Sequence, residues 1–303
     1  VRRQFDHHHD DLRRRGEAFQ VIVGIPYFYR RFGYEYALRV ADWRTAAAGE
    51  IPAMPDGWSV RPASGIDAAT VASLQDPMRA AAGVVVEFAP DLARFVFDSP
   101  VYETVIAAYR GEPAATGRLY RDGDDAYVLD FAATGSDGIA AVLAGLAGMA
   151  PGCDLTILER PGLRPLLAGT GAAATSGDAY YARIADPVGF LNAVRPELER
   201  RLAASEFATA SGEALISLYT SSIRFSYNHG SLGEFTADRG EQAPVSKGGS
   251  GVAPDQFVNL LVGPHGFAGL ADLHPEINGG RQQAMMEVLF PPQVSDVQSW
   301  VVP

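Results

Sequence analysis

The stretch from Phe19 to Val40 constrains this chain more than any other. Phe19 to Val23 is a short apolar run that reads as a buried strand. Gly24 ends it. Pro26 suits the first turn of a helix, where its missing N–H would have no partner anyway. Gly33 stops that helix, and Tyr34 to Val40 resumes as a strand. Between the two glycines lie Tyr27, Phe28, Tyr29, Arg30, Arg31 and Phe32, a dense run of aromatic and cationic side chains. Two strands joined by so short a helix belong to an α/β sheet with a crowded loop at its end.

The rest of the chain sets outer limits. Its 303 residues suggest two or three domains with ample core. With 47% apolar and 20% charged residues it is ordinarily globular. No apolar run approaches the ~20 residues of a membrane span. The opening Val1 to Arg15 is charged and lacks the apolar segment of a signal peptide. Cys153 is the single cysteine, which excludes an internal disulfide and fits a reducing cytoplasm. A net charge of -11 argues against a nucleic-acid partner and would steer a cationic substrate.

Periodicity divides the chain into three segments. Gln4 to Arg15 is a polar helix, ended by Arg15-Gly16. With the strand, helix and strand that follow it forms a first unit, residues 1–45. Thr45 to Gly57 is a linker rich in Ala, Gly and Pro. A second unit, 57–186, opens with the strand Trp58 to Ala63 and a helix from Ile66 to Leu74. A hairpin pairs Glu103–Arg110 with Ala114–Arg121 across Gly111-Glu112-Pro113. The strand Ala126 to Ala132, the helix Ile139 to Met149, the strand Leu155 to Leu158, a short helix Gly162 to Leu167 and a last strand Tyr180 to Ile184 follow. That order is α/β. In the third unit, 187–303, Phe190, Leu191, Val194, Leu198 and Leu202 mark an amphipathic helix, Ile216 to Tyr227 alternate as strands do, and short helices surround Leu260 and Met285. This unit is α+β.

The run Tyr29-x-x-x-Gly33-Tyr34 resembles the Tyr-x-x-x-Gly-aromatic signature of the GNAT acyltransferases. Its extension Ile25-Pro26-Tyr27-Phe28-Tyr29-Arg30-Arg31-Phe32-Gly33-Tyr34 is similar to the bacterial Eis-type subgroup, as are Leu289-Phe290-Pro291 and Trp300 near the end. The resemblance implies a partial catalytic GNAT domain, a second GNAT-like domain and a C-terminal sterol-carrier-protein-like domain. It also implies acetyl-CoA as cosubstrate, and a small-molecule amine, aminoglycoside-like or polyamine-like, as acceptor. A homo-oligomer is left open.

A complete domain of this kind carries an Arg/Gln-x-x-Gly-x-Gly/Ala loop, whose backbone N–H groups hold the pyrophosphate of coenzyme A at a helix N-terminus. Val1-Arg2-Arg3-Gln4 fits the helix after that loop, so the expectation is an N-terminally truncated chain with one bare sheet edge. Such a form need not be active by itself. Gly169-Thr170-Gly171-Ala172-Ala173-Ala174 has G-x-G-x-x-A spacing but follows a helix, which does not suit a dinucleotide fingerprint. Gly135-Ser136-Asp137-Gly138, at the equivalent place in the second unit, lacks the arginine and the spacing. That unit reads as a scaffold.

Acetyl transfer to an amine needs a base for the amine, polarisation of the thioester carbonyl and an acid for the leaving thiolate. The resemblance places the acid at Tyr29 and backbone contacts to the cofactor at Gly24 and Ile25. In Eis-type chains the terminal carboxylate is the base, which here is that of Pro303. The plain alternative for Tyr29 is packing with Tyr27, Phe28 and Phe32, and for Pro303 a loose tail. His7-His8-His9-Asp10 does not make a metal site, because consecutive helical residues point about 100° apart and cannot converge on one ion. The rival to an enzyme is a ligand-holding scaffold in which Phe225, Tyr227, Phe257 and Phe267 line an apolar pocket.

Overall fold

The computed structural model describes residues 1–86, 97, 99–174 and 179–297. In chain order the elements begin with α1 (Arg2–Arg14), β1 (Phe19–Ile22), β2 (Glu35–Arg39), β3 (Asp42–Ala46) and β4 (Trp58–Pro62). Next come α2 (Ala68–Leu74), α3 (Asp76–Arg79), β5 (Val84–Val85), β6 (Tyr102–Tyr109), β7 (Glu112–Asp122) and β8 (Asp125–Ala133). They are followed by α4 (Ser136–Met149), β9 (Leu155–Glu159), β10 (Ala172–Ala174), β11 (Ala179–Ile184) and α5 (Pro187–Ala203). The chain continues through β12 (Ser211–Ser217), β13 (Ser221–Asn228), β14 (Ser231–Leu232), β15 (Thr236–Arg239) and β16 (Ser250–Gly251). Last come α6 (Phe257–Val262), α7 (Gly266–Leu273), α8 (Gln283–Leu289) and β17 (Ser295–Asp296).

Contacts gather these elements into two compact units, Val1–Arg39 with Ala179–Gln293, and Val40–Asp178 with Val294–Pro303. In the first unit β11 lies between β1 and β2, antiparallel to both. Helix α6 packs against β2 and β11. Helix α1 carries Arg13 and Arg14 in its last turn, where cations favour the helix dipole, and Gly16 follows at φ +75°. Asp186 caps α5 by accepting the Gly189 N–H at 3.0 Å, with Pro187 at the first helical position. Strands β14, β13, β12 and β16 form a second sheet, with β15 added to β13. Phe225, Phe235, Phe257, Leu260, Phe267 and Met286 are buried in this unit, and Phe225 packs its ring on Phe235 at 4.7 Å.

The second unit is built on a seven-stranded sheet of order β10-β3-β9-β8-β7-β6-β4. Its hairpin turns at Arg110-Gly111, both at positive φ, which matches the twist of the flanking strands. Pro113 sits inside β7, where the register slips between Ala107 and Ala108 and a missing N–H is tolerated. Helix α4 covers the sheet with Ile139, Val142, Leu143 and Leu146 against Val105, Leu119, Val128 and Phe131. Strands β8 and β9 run parallel and pair only from Ala126↔Leu155 to Val128↔Ile157, although β8 continues to Ala133 and β9 to Glu159. The sheet therefore opens between their far ends. Among the described residues no helix is long and apolar enough to cross a membrane.

Five expectations change. The strand at Phe19 is not buried, since Val21 is 42% and Val23 67% exposed. Tyr29–Phe32 makes only a 3₁₀ turn, because the span between Gly24 and Gly33 holds too few residues for a stable α-helix. Gly162 to Leu167 forms successive turns instead of a helix. Part of the expected linker is the strand β3, whose Trp43 and Thr45 pair with Leu158 and Thr156. Strand β11, read as closing the second unit, instead lies between β1 and β2. Local pattern identifies both strands, but partner choice is a long-range property that periodicity does not carry.

Candidate active site

The loop between β1 and β2 converges on Tyr29. After Gly24 and Ile25 the chain turns at Tyr27, whose φ of +66° is a left-handed conformation that costs a non-glycine residue about 1–2 kcal/mol. The 3₁₀ turn then closes on Gly33 at φ +82°, which returns its N–H to the Arg30 carbonyl at 3.0 Å. This places the Tyr29 side chain directly over Gly24. A Cβ added to Gly24 would stand 2.5 Å from the Tyr29 hydroxyl oxygen and 2.7 Å from its ring. Only a glycine allows that approach. Two residues singled out from the sequence, Gly24 and Tyr29, are thus brought into contact.

The Tyr29 ring is held by an aromatic cage. Phe5 of α1 meets it at 5.9 Å, Phe28 at 5.2 Å, Tyr34 at 6.4 Å and Tyr181 of β11 at 5.4 Å. Its hydroxyl makes no hydrogen bond among the described residues, although the side chain is only partly exposed. The packing role and an acid role coexist: the ring is fixed, and the polar end is left without a protein partner.

Beside this contact lies a pocket of ≈ 490 Å³ lined by Ile25, Pro26, Tyr27, Phe28, Arg30 and Arg31. Ile25, expected at the cofactor, is on its wall; Gly24 and Tyr29 are not. Arg30 is committed to the buried Glu35, with Nε and Nη2 donating to one carboxylate oxygen at 2.9 and 2.6 Å. The Glu35 hydrogen bond pushes the Arg30 guanidinium still further toward its charged form. Arg31 lies over the Phe28 ring at 5.5 Å and makes no ion pair among the described residues. The pocket therefore joins an apolar wall to a free cation, a donor set that fits a ligand with an apolar arm and anionic groups. The outer edge of β1 and its continuation present Val21, Val23, Ile25 and Tyr27 to solvent, and no strand of the described residues pairs along it.

Sequence reasoning missed the polar support beneath the loop. His9 is buried and its Nε2 lies 3.2 Å from the Tyr34 hydroxyl, which in turn donates to Gln20 Oε1 at 3.0 Å. Arg183 Nη1 donates to the same oxygen at 3.1 Å. Burial lowers the His9 pKa, with Arg183 and His8 acting in the same direction. His7 and His8 are exposed. No group of three His, Cys, Asp or Glu side chains is placed to hold a metal among the described residues. Tyr181 also went unnoticed, since it comes from a strand 154 residues beyond Tyr27. Pro303, the expected base, and Trp300 lie outside the described residues.

The second unit offers a contrasting place where β8 and β9 part. Arg160 and Asp296 fill it. Arg160 Nε and Nη2 donate to the two Asp296 oxygens at 3.0 and 2.5 Å, and Nη1 donates to the Phe131 carbonyl at 3.1 Å and to Gln75. Gln75 Nε2 donates to the Asp130 carbonyl at 2.8 Å. Arg118 pairs with Asp130 at 2.6 Å and covers the Tyr102 ring at 4.3 Å. Burial raises the Asp130 pKa against the pull of Arg118 and Arg160. The Asp130 and Phe131 carbonyls at the opening are thus already taken. Asp137 occupies the first turn of α4, where it repels an anion.

No family model matches the chain, and no curated protein matches it. Solved structures do. A GCN5-related N-acetyltransferase from Kribbella flavida superposes with a TM-score of 0.66 at 15% identity, covering 95% of this chain and 73% of that one. A probable N-acyltransferase from Enterococcus faecalis V583 gives 0.68 at 13% identity, covering 97% and 75%. Eis1 from Mycobacterium abscessus gives 0.56 at 18% identity, covering 96% and 76%. This chain has the fold those acyltransferase structures share, over about three quarters of their length.

Proposed function

We propose that this chain belongs to an N-acetyltransferase that moves the acetyl group of acetyl-CoA to a primary amine, with the chemistry centred on Tyr29. The observation that carries the reading is the Tyr29 hydroxyl, set over Gly24 at an open sheet edge and without a hydrogen-bond partner among the described residues. Bound acetyl-CoA supplies an activated acetyl thioester. Backbone at Gly24 and Ile25 is exposed for contact with it, and Arg31 is available to its phosphates. As the amine nitrogen bonds to the acetyl carbon and the carbon–sulfur bond breaks, the Tyr29 hydroxyl holds the proton that the leaving sulfur takes. The acidic balance of -11 favours a polyamine-like or aminoglycoside-like acceptor.

In this reading residues 1–39, whose strands β1 and β2 enclose β11, belong to a catalytic domain, and Val40–Asp178 with Val294–Pro303 are a second GNAT-like domain. Residues 187–293 are the sterol-carrier-protein-like domain. The exposed apolar edge of β1 supports a catalytic sheet that extends past it, with further strands supplied from outside these residues. The second GNAT-like domain acts as scaffold, since Arg160, Gln75 and Asp296 satisfy the groups a cofactor would use. The test is a thiol-release assay on the longest natural form of the protein, with acetyl-CoA and a panel of polyamines and aminoglycosides, beside calorimetric titration with coenzyme A. Release with at least one amine is expected. No release together with no coenzyme A binding overturns the reading and favours a non-catalytic ligand-binding scaffold.

A further inference from the structure

We propose that Tyr181 is a positioning residue that fixes the Tyr29 hydroxyl by holding the turn from Gly24 to Tyr27. The inference rests on the acetyl-transfer reading for its consequence and on geometry for its cause. Register places Tyr181 beside Ile22, the last residue of β1, and beside Tyr36 of β2 on the other side. Its side chain is fully buried, stacked on Tyr36 at 3.8 Å and tilted against Tyr29 at 5.4 Å. Its hydroxyl oxygen accepts the backbone N–H of Tyr27.

That hydrogen bond holds an unfavourable backbone from outside the turn that contains it. Tyr27 is left-handed at φ +66°, yet it is 75% exposed, with the Arg30 guanidinium 5.3 Å from its ring centroid. Side-chain burial does not force the conformation. A turn centred on Pro26 and Tyr27, closed by the Phe28 N–H donating to the Ile25 carbonyl at 3.3 Å, admits it, and the Tyr27 N–H directed at Tyr181 holds it in place. Without it Tyr27 relaxes to negative φ, the turn opens, and Gly24 moves out from beneath the Tyr29 hydroxyl. Tyr181 is no acid itself: burial and the hydrogen bond with Tyr36 hold its proton on.

The test uses Tyr181→Phe, which keeps the ring and removes the acceptor. Trypsin cleavage after Arg30 and Arg31, measured by mass spectrometry against cleavage after Arg13 to Arg15, should rise about fivefold, the weight of one neutral hydrogen bond. Tyr27→Asn should return it toward the wild-type rate, because asparagine accepts left-handed backbone. Where acetyl transfer is measured, Tyr181→Phe should lower kcat about tenfold with KM for the amine little changed. It should lower it no further in a Tyr29→Phe background. Wild-type cleavage in Tyr181→Phe overturns the proposal. So does a failed rescue by Tyr27→Asn, or an equal kcat loss with and without the Tyr29 hydroxyl. If Tyr181→Phe does not fold, Tyr27→Asn alone decides: it should slow cleavage or leave it unchanged, and faster cleavage overturns the proposal. If the wild-type protein transfers no acetyl group, the functional reading falls while the cleavage measurements still judge Tyr181.

Discussion

The end of β1 and the parting of β8 from β9 pose the same physical problem and solve it oppositely. Each is a place where a sheet stops pairing and leaves polar backbone to be satisfied. Between β8 and β9 the chain satisfies itself, with Arg160 and Gln75 donating to the carbonyls of Phe131 and Asp130. At β1 it does not: among the described residues the outer edge is unpaired and the Tyr29 hydroxyl over Gly24 makes no hydrogen bond. Stability and binding compete for the same groups. A region that has filled its own opening is a scaffold, and a region that leaves it unfilled is where a ligand belongs.

The largest test of that contrast is at Asp296. Removing it as Asp296→Ala leaves the Arg160 guanidinium, fully buried, without its carboxylate. Breaking a buried pair in this way costs about 3–5 kcal/mol, readable by urea unfolding of the second unit. A loss below about 1 kcal/mol would mean that water reaches Arg160, and the two openings would then not differ in kind. Next in size is Tyr29→Phe. It should lower kcat by roughly 10²-fold with almost no change in unfolding midpoint, since the lost hydroxyl makes no hydrogen bond among the described residues. An unchanged kcat would reduce Tyr29 to a packing residue. Smaller again is Gly24→Ala, whose new methyl carbon would stand 2.5 Å from the Tyr29 oxygen. The side chain must move, and about a tenfold fall in kcat is expected for such a displacement. If Gly24→Ala matches wild type, the contact between the two residues has no part in turnover.

Much of this was legible in the sequence where the signal is local. Gly33 and Gly16 do take left-handed backbone after a helical turn, as their positions promised. The hairpin around Gly111 follows from turn chemistry, and the helix carrying Leu191, Leu198 and Leu202 from its apolar periodicity. Tyr29 and Gly24 were found through a motif of only a few residues. What failed was long-range. Nothing near Tyr181 says that it will sit beside Ile22, and nothing near Trp43 says that it will pair with Leu158. Arg160 looks like any surface arginine until Asp296 arrives from the far end of the chain. Val21 and Val23 read as core because apolar runs usually are, yet a site edge is where that rule breaks.

The smallest effect concerns how α1 is held against the open sheet. Its single buried side chain is His9, whose Nε2 meets the Tyr34 hydroxyl. Burial lowers the His9 pKa, the charges of Arg183, His8 and Arg13 lower it further, and Asp6 opposes them. Tyr34 donates its own proton to Gln20, so it can accept only from an Nε2–H. A neutral imidazole with that tautomer satisfies the site, whereas an imidazolium adds a buried charge next to Arg183. Because the folded pKa lies below the unfolded value of ~6.5, the unfolded chain binds the extra proton first. The stabilisation is therefore complete above pH ~6.5 and declines as pH falls toward the folded pKa. On going from pH 8 to pH 5.5 the protection of the Arg2–Arg14 amides, after allowance for the intrinsic slowing of base-catalysed exchange, should fall, so that exchange gains a relative acceleration as Phe5 is released from Tyr29 and Phe32. His9→Gln can donate to Tyr34 and does not titrate, so it should remove the extra acceleration. Equal pH dependence in the wild type and His9→Gln would show that α1 is anchored by its aromatic contacts alone.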